Sequence, residues 1–219
     1  MTMKLYAHPF SSYCQKVLIA LYENATPFEW RLLAPENPQA AAELAALWPL
    51  KRFPVLVDDG HALMEASIII EHLELHHPGP VRLIPADARA ALEVRFMDRF
   101  FDNYVSTPLQ RIVFDSLRPA SQRDPCGVDE ARTMLETAYR WLDQTMSGRE
   151  WAAGDAFSLA DCAAAPALFY ADWAHPIDAA FGNVHGYRRR LLTRPSFARA
   201  VEEARPYRSL FPLGAPERD

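Results

Sequence analysis

The chain has 219 residues, half of them apolar, which is enough for a sizeable core in one domain or two small ones and argues against disorder. A formal net charge of −5 gives no electrostatic case for nucleic acid or an anionic membrane surface as a partner. Three scattered cysteines, Cys14, Cys126 and Cys162, fit neither a disulfide framework nor a zinc site; with no leader-like segment and no membrane-length apolar run, a soluble cytoplasmic protein is expected.

Met3 to Ala7 alternates as a strand, Pro9 breaks it, and Val17, Leu18, Leu21 and Tyr22 recur at helical spacing. Ser11 or Ser12 is therefore the N-cap of a first helix. Its free N–H groups and positive dipole end favour an anion, and a thiolate is one. Phe28 to Leu33 alternates as a second strand, and the alanine-rich run Asn37 to Leu47 suits a short helix closed by Trp48-Pro49. Phe53 to Met64 reads as strand, Asp-Asp-Gly turn, strand, with Pro54 a candidate cis residue at the strand's first position. Glu65-Ala66-Ser67 opens a helix that Pro78-Gly79-Pro80 stops. These elements make a β-α-β-α-β-β-α domain over residues 1–77, followed by a proline-rich linker over 78–87.

Residues 88–219 carry no persuasive strand pattern. Ala88 to Leu117 is predicted as one long helix with a bend at Pro108. Val128, Ala131, Leu135, Ala138 and Leu142 form the stripe of a second. Ser158-Leu159-Ala160-Asp161 is a capping-box start, flanked by Phe157 and Cys162 at the staple positions, for a helix to about Trp173 that Pro166 should distort. Helices near Val184 to Leu192 and Pro195 to Ala204 complete an all-helical second domain.

Four segments in this order and spacing carry a resemblance: His8-Pro9-Phe10-Ser11-Ser12 followed by Lys16-Val17, Phe53-Pro54, Leu63-Met64-Glu65-Ala66-Ser67-Ile68-Ile69, and Gly154-Asp155-Ala156-Phe157-Ser158-Leu159-Ala160-Asp161. Over essentially its whole length the chain resembles a cytosolic glutathione S-transferase of the serine-type classes (bacterial, zeta, phi and theta-like). The resemblance implies an α/β thioredoxin-like N-terminal domain, an all-α C-terminal domain and a homodimer. It also implies glutathione as co-substrate, without a metal. Ser11 matches the serine that hydrogen-bonds the glutathione sulfur, so Ser12 is expected to cap the helix and Cys14 to point into the domain. Phe53, before Pro54, matches the residue whose backbone pairs with the cysteinyl part of glutathione. Arg52 lies where the family often has a group for the glycyl carboxylate. Glu65 matches the acid of the Glu-Ser pair that holds the γ-glutamyl end. The serine of that pair is Ala66 here, a departure that costs one hydroxyl hydrogen bond unless Ser67 supplies it, and that puts glutathione affinity in question.

Plainer readings are expected elsewhere. Cys14, about a turn inside its helix and without a Cys-x-x-Cys partner, is a small core residue. His72 and His76 share a helix face at metal-ligand spacing, but with no third ligand evident they read as cations near a helix C-terminus. Arg188-Arg189-Arg190 reads as a solvated face. Phe101, Tyr104, Tyr170, Trp173 and Tyr207 are candidates for an apolar substrate cleft, although aromatics at helical spacing more often form core. The function expected is transfer of the glutathione thiolate to an apolar electrophile, or glutathione-dependent isomerisation or reduction. The alternative is a non-catalytic glutathione-fold module that binds a ligand or a protein.

Overall fold

The computed structural model describes residues 3–219; residues 1 and 2, which open the first expected domain, lie outside that description. Strand β1 (Met3–Ala7) is parallel to β2 (Phe28–Leu32) and antiparallel to β3 (Val55–Asp58), and β3 pairs antiparallel with β4 (His61–Met64). The resulting order is β2-β1-β3-β4. Helix α1 (Ser12–Glu23) makes the parallel crossover, α2 (Pro38–Leu47) precedes the hairpin, and α3 (Ala66–His76) follows it. Asp59 and Gly60 make the two-residue hairpin turn with φ of 47° and 83°, the left-handed geometry that matches the strand twist. This is the thioredoxin-like domain, and the peptide bond between Phe53 and Pro54 is cis.

The second domain is helical: α4 (Ala88–Phe100), α5 (Thr107–Ser116), α6 (Pro125–Thr145), α7 (Leu159–Ala174), α8 (Gly182–Thr193) and α9 (Pro195–Ala204). The expected single helix from Ala88 to Leu117 is interrupted by a π-helical stretch, Phe101–Ser106, that joins α4 to α5. Pro108 supplies the reason. It has no N–H to offer the carbonyl four residues back, and Thr107 donates its N–H and its hydroxyl to the Asp102 carbonyl instead, widening the turn. Pro166 has no such effect, and α7 runs through it unbroken.

Helix α7 is buried from Leu159 to Trp173 and forms the axis of the second domain. Its start is the expected capping box: the Asp161 carboxylate accepts from Ser158 N at 2.9 Å and Ser158 Oγ at 3.0 Å, and beyond the box from Ala152 N at 2.9 Å and Tyr187 Oη at 2.5 Å. Helix α1 packs between the sheet and α7, with Gln15 Nε2 donating to Tyr170 Oη at 3.0 Å. Val17, Leu18, Ile19 and Leu21 are wholly buried there, each burial being worth roughly 1.5–3 kcal/mol, so one apolar core spans both domains. Residues 77–87 between the domains have no helix or strand, yet they are held: Asn24 brackets Val81 through its N–H and carbonyl, and Leu83 accepts from Leu159 N at 2.9 Å. Among the described residues, no helix is long and apolar enough to cross a membrane.

Candidate active site

A cleft of about 490 Å³ opens where β1 turns into α1, where the cis bond precedes β3, and where β4 turns into α3. Ser11, Arg52, Phe53, Pro54, Glu65 and Ala66 all line it, which brings together residues up to 55 positions apart in the chain. The opposite wall comes from the second domain: Arg99, Asp102 and Asn103 from the end of α4 and the π segment, Gln110 and Phe114 from α5.

Ser11 occupies this cleft and Ser12 does not, but the capping role falls differently from expectation. Helix α1 begins at Ser12, and Ser11 itself is the N-cap, its Oγ accepting from Cys14 N at 3.4 Å. The two roles are compatible. The oxygen accepts from the helix while its own proton stays free to donate into the cleft, and the first N–H groups of α1 add their partial positive charge at the same point. Cys14 points into the core as expected, and burial pushes its thiol up to about 12, so it carries almost no thiolate at neutral pH. Tyr13, which the sequence reading did not single out, also lines the cleft; burial, reinforced by the Asp102 charge, raises its hydroxyl to about 12 and keeps it a donor.

Glu65 alone makes the corner between β4 and α3, with φ 68° and ψ 118°. That conformation is strained for a residue with a Cβ, by an amount on the order of 1–3 kcal/mol, and strain of this kind gathers at binding sites. In return α3 starts directly at the cleft. Ile69 is the first residue whose N–H returns to a backbone carbonyl, that of Glu65, so the N–H groups of Ala66, Ser67 and Ile68 are available to an anion.

Ser67 requires a correction. Its hydroxyl does not line the cleft and cannot replace the one absent from Ala66. It turns inward, donating to Asp98 Oδ2 at 2.8 Å and accepting from Lys16 Nζ at 2.9 Å and from Arg99. Lys16, 1% exposed, lies 2.5 Å from Asp98 Oδ1 and 2.8 Å from Asp102 Oδ2, and Arg99 reaches both carboxylates. Two cations thus balance two anions at the cleft, Arg99 and Asp102 in its wall and Lys16 and Asp98 buried behind them. Burial raises the Asp102 carboxyl above its ordinary value, against the pull of Lys16. Within the sequence, Lys16 was visible only as part of a motif; nothing local marked it as buried, because the carboxylates that neutralise it lie more than eighty residues away.

The plainer reading holds for three of the aromatics, and two further expectations shift. Phe101, Tyr170 and Trp173 are core residues, Phe101 and Tyr170 packing on Phe100 and Phe211 respectively, and none of the five candidate aromatics lines the cleft. Arg188 is buried rather than solvated, 3.3 Å from Asp172 and over the Phe169 ring. His72 joins His77, not His76, in a cluster on Asp58.

Residues 5–81 match the model of the glutathione S-transferase N-terminal domain, and residues 127–190 match that of the C-terminal domain. A glutathione S-transferase from Methylobacterium radiotolerans, solved in complex with glutathione sulfonate, is 30% identical with a TM-score of 0.80, over 92% of this chain and 95% of that one. Another, from Methylobacillus flagellatus and solved with glutathione bound, is 28% identical with a TM-score of 0.81, over 91% and 98% of the two chains. Maleylacetoacetate isomerase of Dictyostelium discoideum is 27% identical over 92% of this chain and 94% of its own length. The chain belongs to the glutathione S-transferase family.

Proposed function

We propose that this protein is a glutathione transferase that binds glutathione in the interdomain cleft and delivers its thiolate to a largely apolar electrophile. The observation that carries this reading is the convergence of two helix N-termini, a serine hydroxyl and the strand-opening Phe53 on one cleft. Each part has a chemical role. The free N–H groups of α3 receive the γ-glutamyl carboxylate, and Glu65 holds the α-amino group. The Phe53 backbone pairs with the cysteinyl unit, and Arg52 faces the glycyl carboxylate. Ser11 donates to the sulfur. A charge-assisted hydrogen bond there, beside the α1 dipole, favours the thiolate over the thiol and raises the amount of nucleophile at neutral pH. Tyr13, Gln110 and Phe114 form the wall that meets the second substrate.

The same reading takes the protein to act as a homodimer. Ile68 and Leu75 on α3 and Leu92 and Phe96 on α4 are exposed, and the Arg95–Glu71 ion pair joins the two helices between them, so they form one apolar face. A second copy covers that face, and sedimentation at micromolar concentration then gives about twice the chain mass of 24.8 kDa. Sedimentation at the mass of a single chain rejects the dimer. The domain boundary is drawn within residues 78–87.

Retention on immobilised glutathione followed by turnover of a reactive aryl halide tests the function. Retention with turnover that saturates in both substrates is the expected result. Retention without turnover of any electrophile would assign the chain to the ligand-binding alternative, and failure to be retained would reject the cleft assignment.

A further inference from the structure

We propose that Asp58, His72 and His77 form a binding site for a first-row divalent cation, with zinc as its representative, at the end of the thioredoxin-like domain away from the cleft. Asp58 is the last residue of β3, before the tight turn; His72 lies in α3, and His77 is its C-cap. His72 Nε2 is 2.8 Å and His77 Nε2 2.6 Å from the same oxygen, Asp58 Oδ2. Two imidazoles therefore aim their ligating nitrogens at one point beside a carboxylate, with the ligand atoms all within 4.8 Å of one another.

The donor set, two neutral nitrogens and one carboxylate oxygen, suits zinc and its first-row neighbours, whereas magnesium and calcium prefer oxygen. Bonds of about 2.0–2.1 Å in a tetrahedron separate ligand atoms by roughly 3.3–3.4 Å, so the His72 nitrogen need withdraw from the carboxylate oxygen by about half an ångström and the His77 nitrogen by about three-quarters. The three side chains are 13–34% exposed, which leaves an open side for water as the remaining ligand. The spacing explains why sequence alone selects the wrong pair. His72 and His76 are four residues apart on one helix face, but His76 only packs its ring against His72, at 4.5 Å between centroids. His77 returns to the cluster because the chain leaves helical geometry there, with φ −132° and ψ 51°. His72 and His77 lie six and eleven residues from Ala66, roughly 9 and 16 Å at 1.5 Å each, so the site stands well away from the cleft end of α3. An ion there would clamp the hairpin to the helix C-terminus and take no part in chemistry on the thiol.

The test is zinc binding by equilibrium dialysis, with metal counted by mass spectrometry, on untagged, chelator-stripped protein in a Cys126→Ser background without glutathione. One zinc per chain is expected, with affinity falling more than about tenfold in Asp58→Asn, His72→Gln and His77→Gln and staying within about twofold in His76→Gln. X-ray absorption of the loaded parent protein should report two imidazoles, nitrogen and oxygen ligands only. No zinc bound, equal loss in His76→Gln, unaltered binding in His77→Gln, or a sulfur ligand in the absorption spectrum would each overturn the proposal. The absorption measurement stands even if a variant fails to fold.

Discussion

Lys16 Nζ lies 2.8 Å from Asp102 Oδ2, and this contact ties the first helix of one domain to the cleft-lining π segment of the other. Lys16→Met leaves Asp98 and Asp102 with Arg99 alone, whose side chain is half exposed. Breaking a buried pair from one side costs roughly 3–5 kcal/mol, to be read as a lower denaturation midpoint in urea. The pH dependence has a definite sign. Burial places the folded-state Asp102 carboxyl above its ordinary 3.8, so protonation favours the folded state, and losing Lys16 raises it further. The stability gap between variant and parent should therefore narrow as pH falls from neutral toward the ordinary carboxylate range. A constant gap would show that Asp102 carries none of the penalty.

Ser11→Ala should raise the pKa of bound glutathione and slow turnover at neutral pH, with little change in glutathione affinity. The hydrogen bond at stake is charge-assisted, worth about 1.5–3 kcal/mol, or one to two units of thiol pKa. Because Ser11 is also the N-cap, the variant should lose about 1 kcal/mol of stability as well. pH–rate profiles of Ser11→Ala and Ser12→Ala separate the two serines; an upward shift only in the latter would move the role one residue along.

Thiol counting checks that Cys14 is no nucleophile. With its pKa pushed to about 12, the thiolate fraction at pH 8 is about one in ten thousand, and the side chain is inaccessible besides. Cys162 is equally buried and Cys126 is exposed. A disulfide reagent at pH 8 should thus titrate one thiol rapidly in the native protein and three in denaturant. Rapid reaction of a second thiol, lost in Cys14→Ala, would make Cys14 reactive after all.

Ala66→Ser should tighten glutathione binding by up to roughly tenfold in calorimetry, the worth of one neutral hydrogen bond of about 0.5–1.5 kcal/mol. The Ser67 hydroxyl, held by Lys16, Asp98 and Arg99, offers no substitute in the parent chain. Unchanged or weaker binding would mean that the γ-glutamyl carboxylate does not sit at the start of α3.

Asp161→Ala should unfold at markedly lower temperature while the folded fraction keeps near-parent glutathione affinity. The substitution removes the cap and strands the buried donors of Ser158, Ala152 and Tyr187, together about 3 kcal/mol or more. Unchanged melting would remove the box from the account of stability.

Local physics was enough to read the elements from the sequence. The alternation of β1, the Asp59-Gly60 turn, the capping box at Ser158 and Asp161 and the apolar stripe of α6 depend on neighbours within a few residues, and each stands where its pattern placed it. The cleft residues Ser11, Arg52, Phe53, Glu65 and Ala66 were legible through the ordered motifs of a family. Tertiary structure decided what those motifs do not encode: that Lys16 and Arg188 are buried, that Ser67 turns away from the cleft, that the π segment supplies its far wall, and that His77 rather than His76 meets Asp58. For the side chains among these the physical reason is common. Whether a charged or polar side chain is buried depends on partners that neutralise it, and here those partners arrive from 14 to 86 residues away, a distance over which periodicity carries no information.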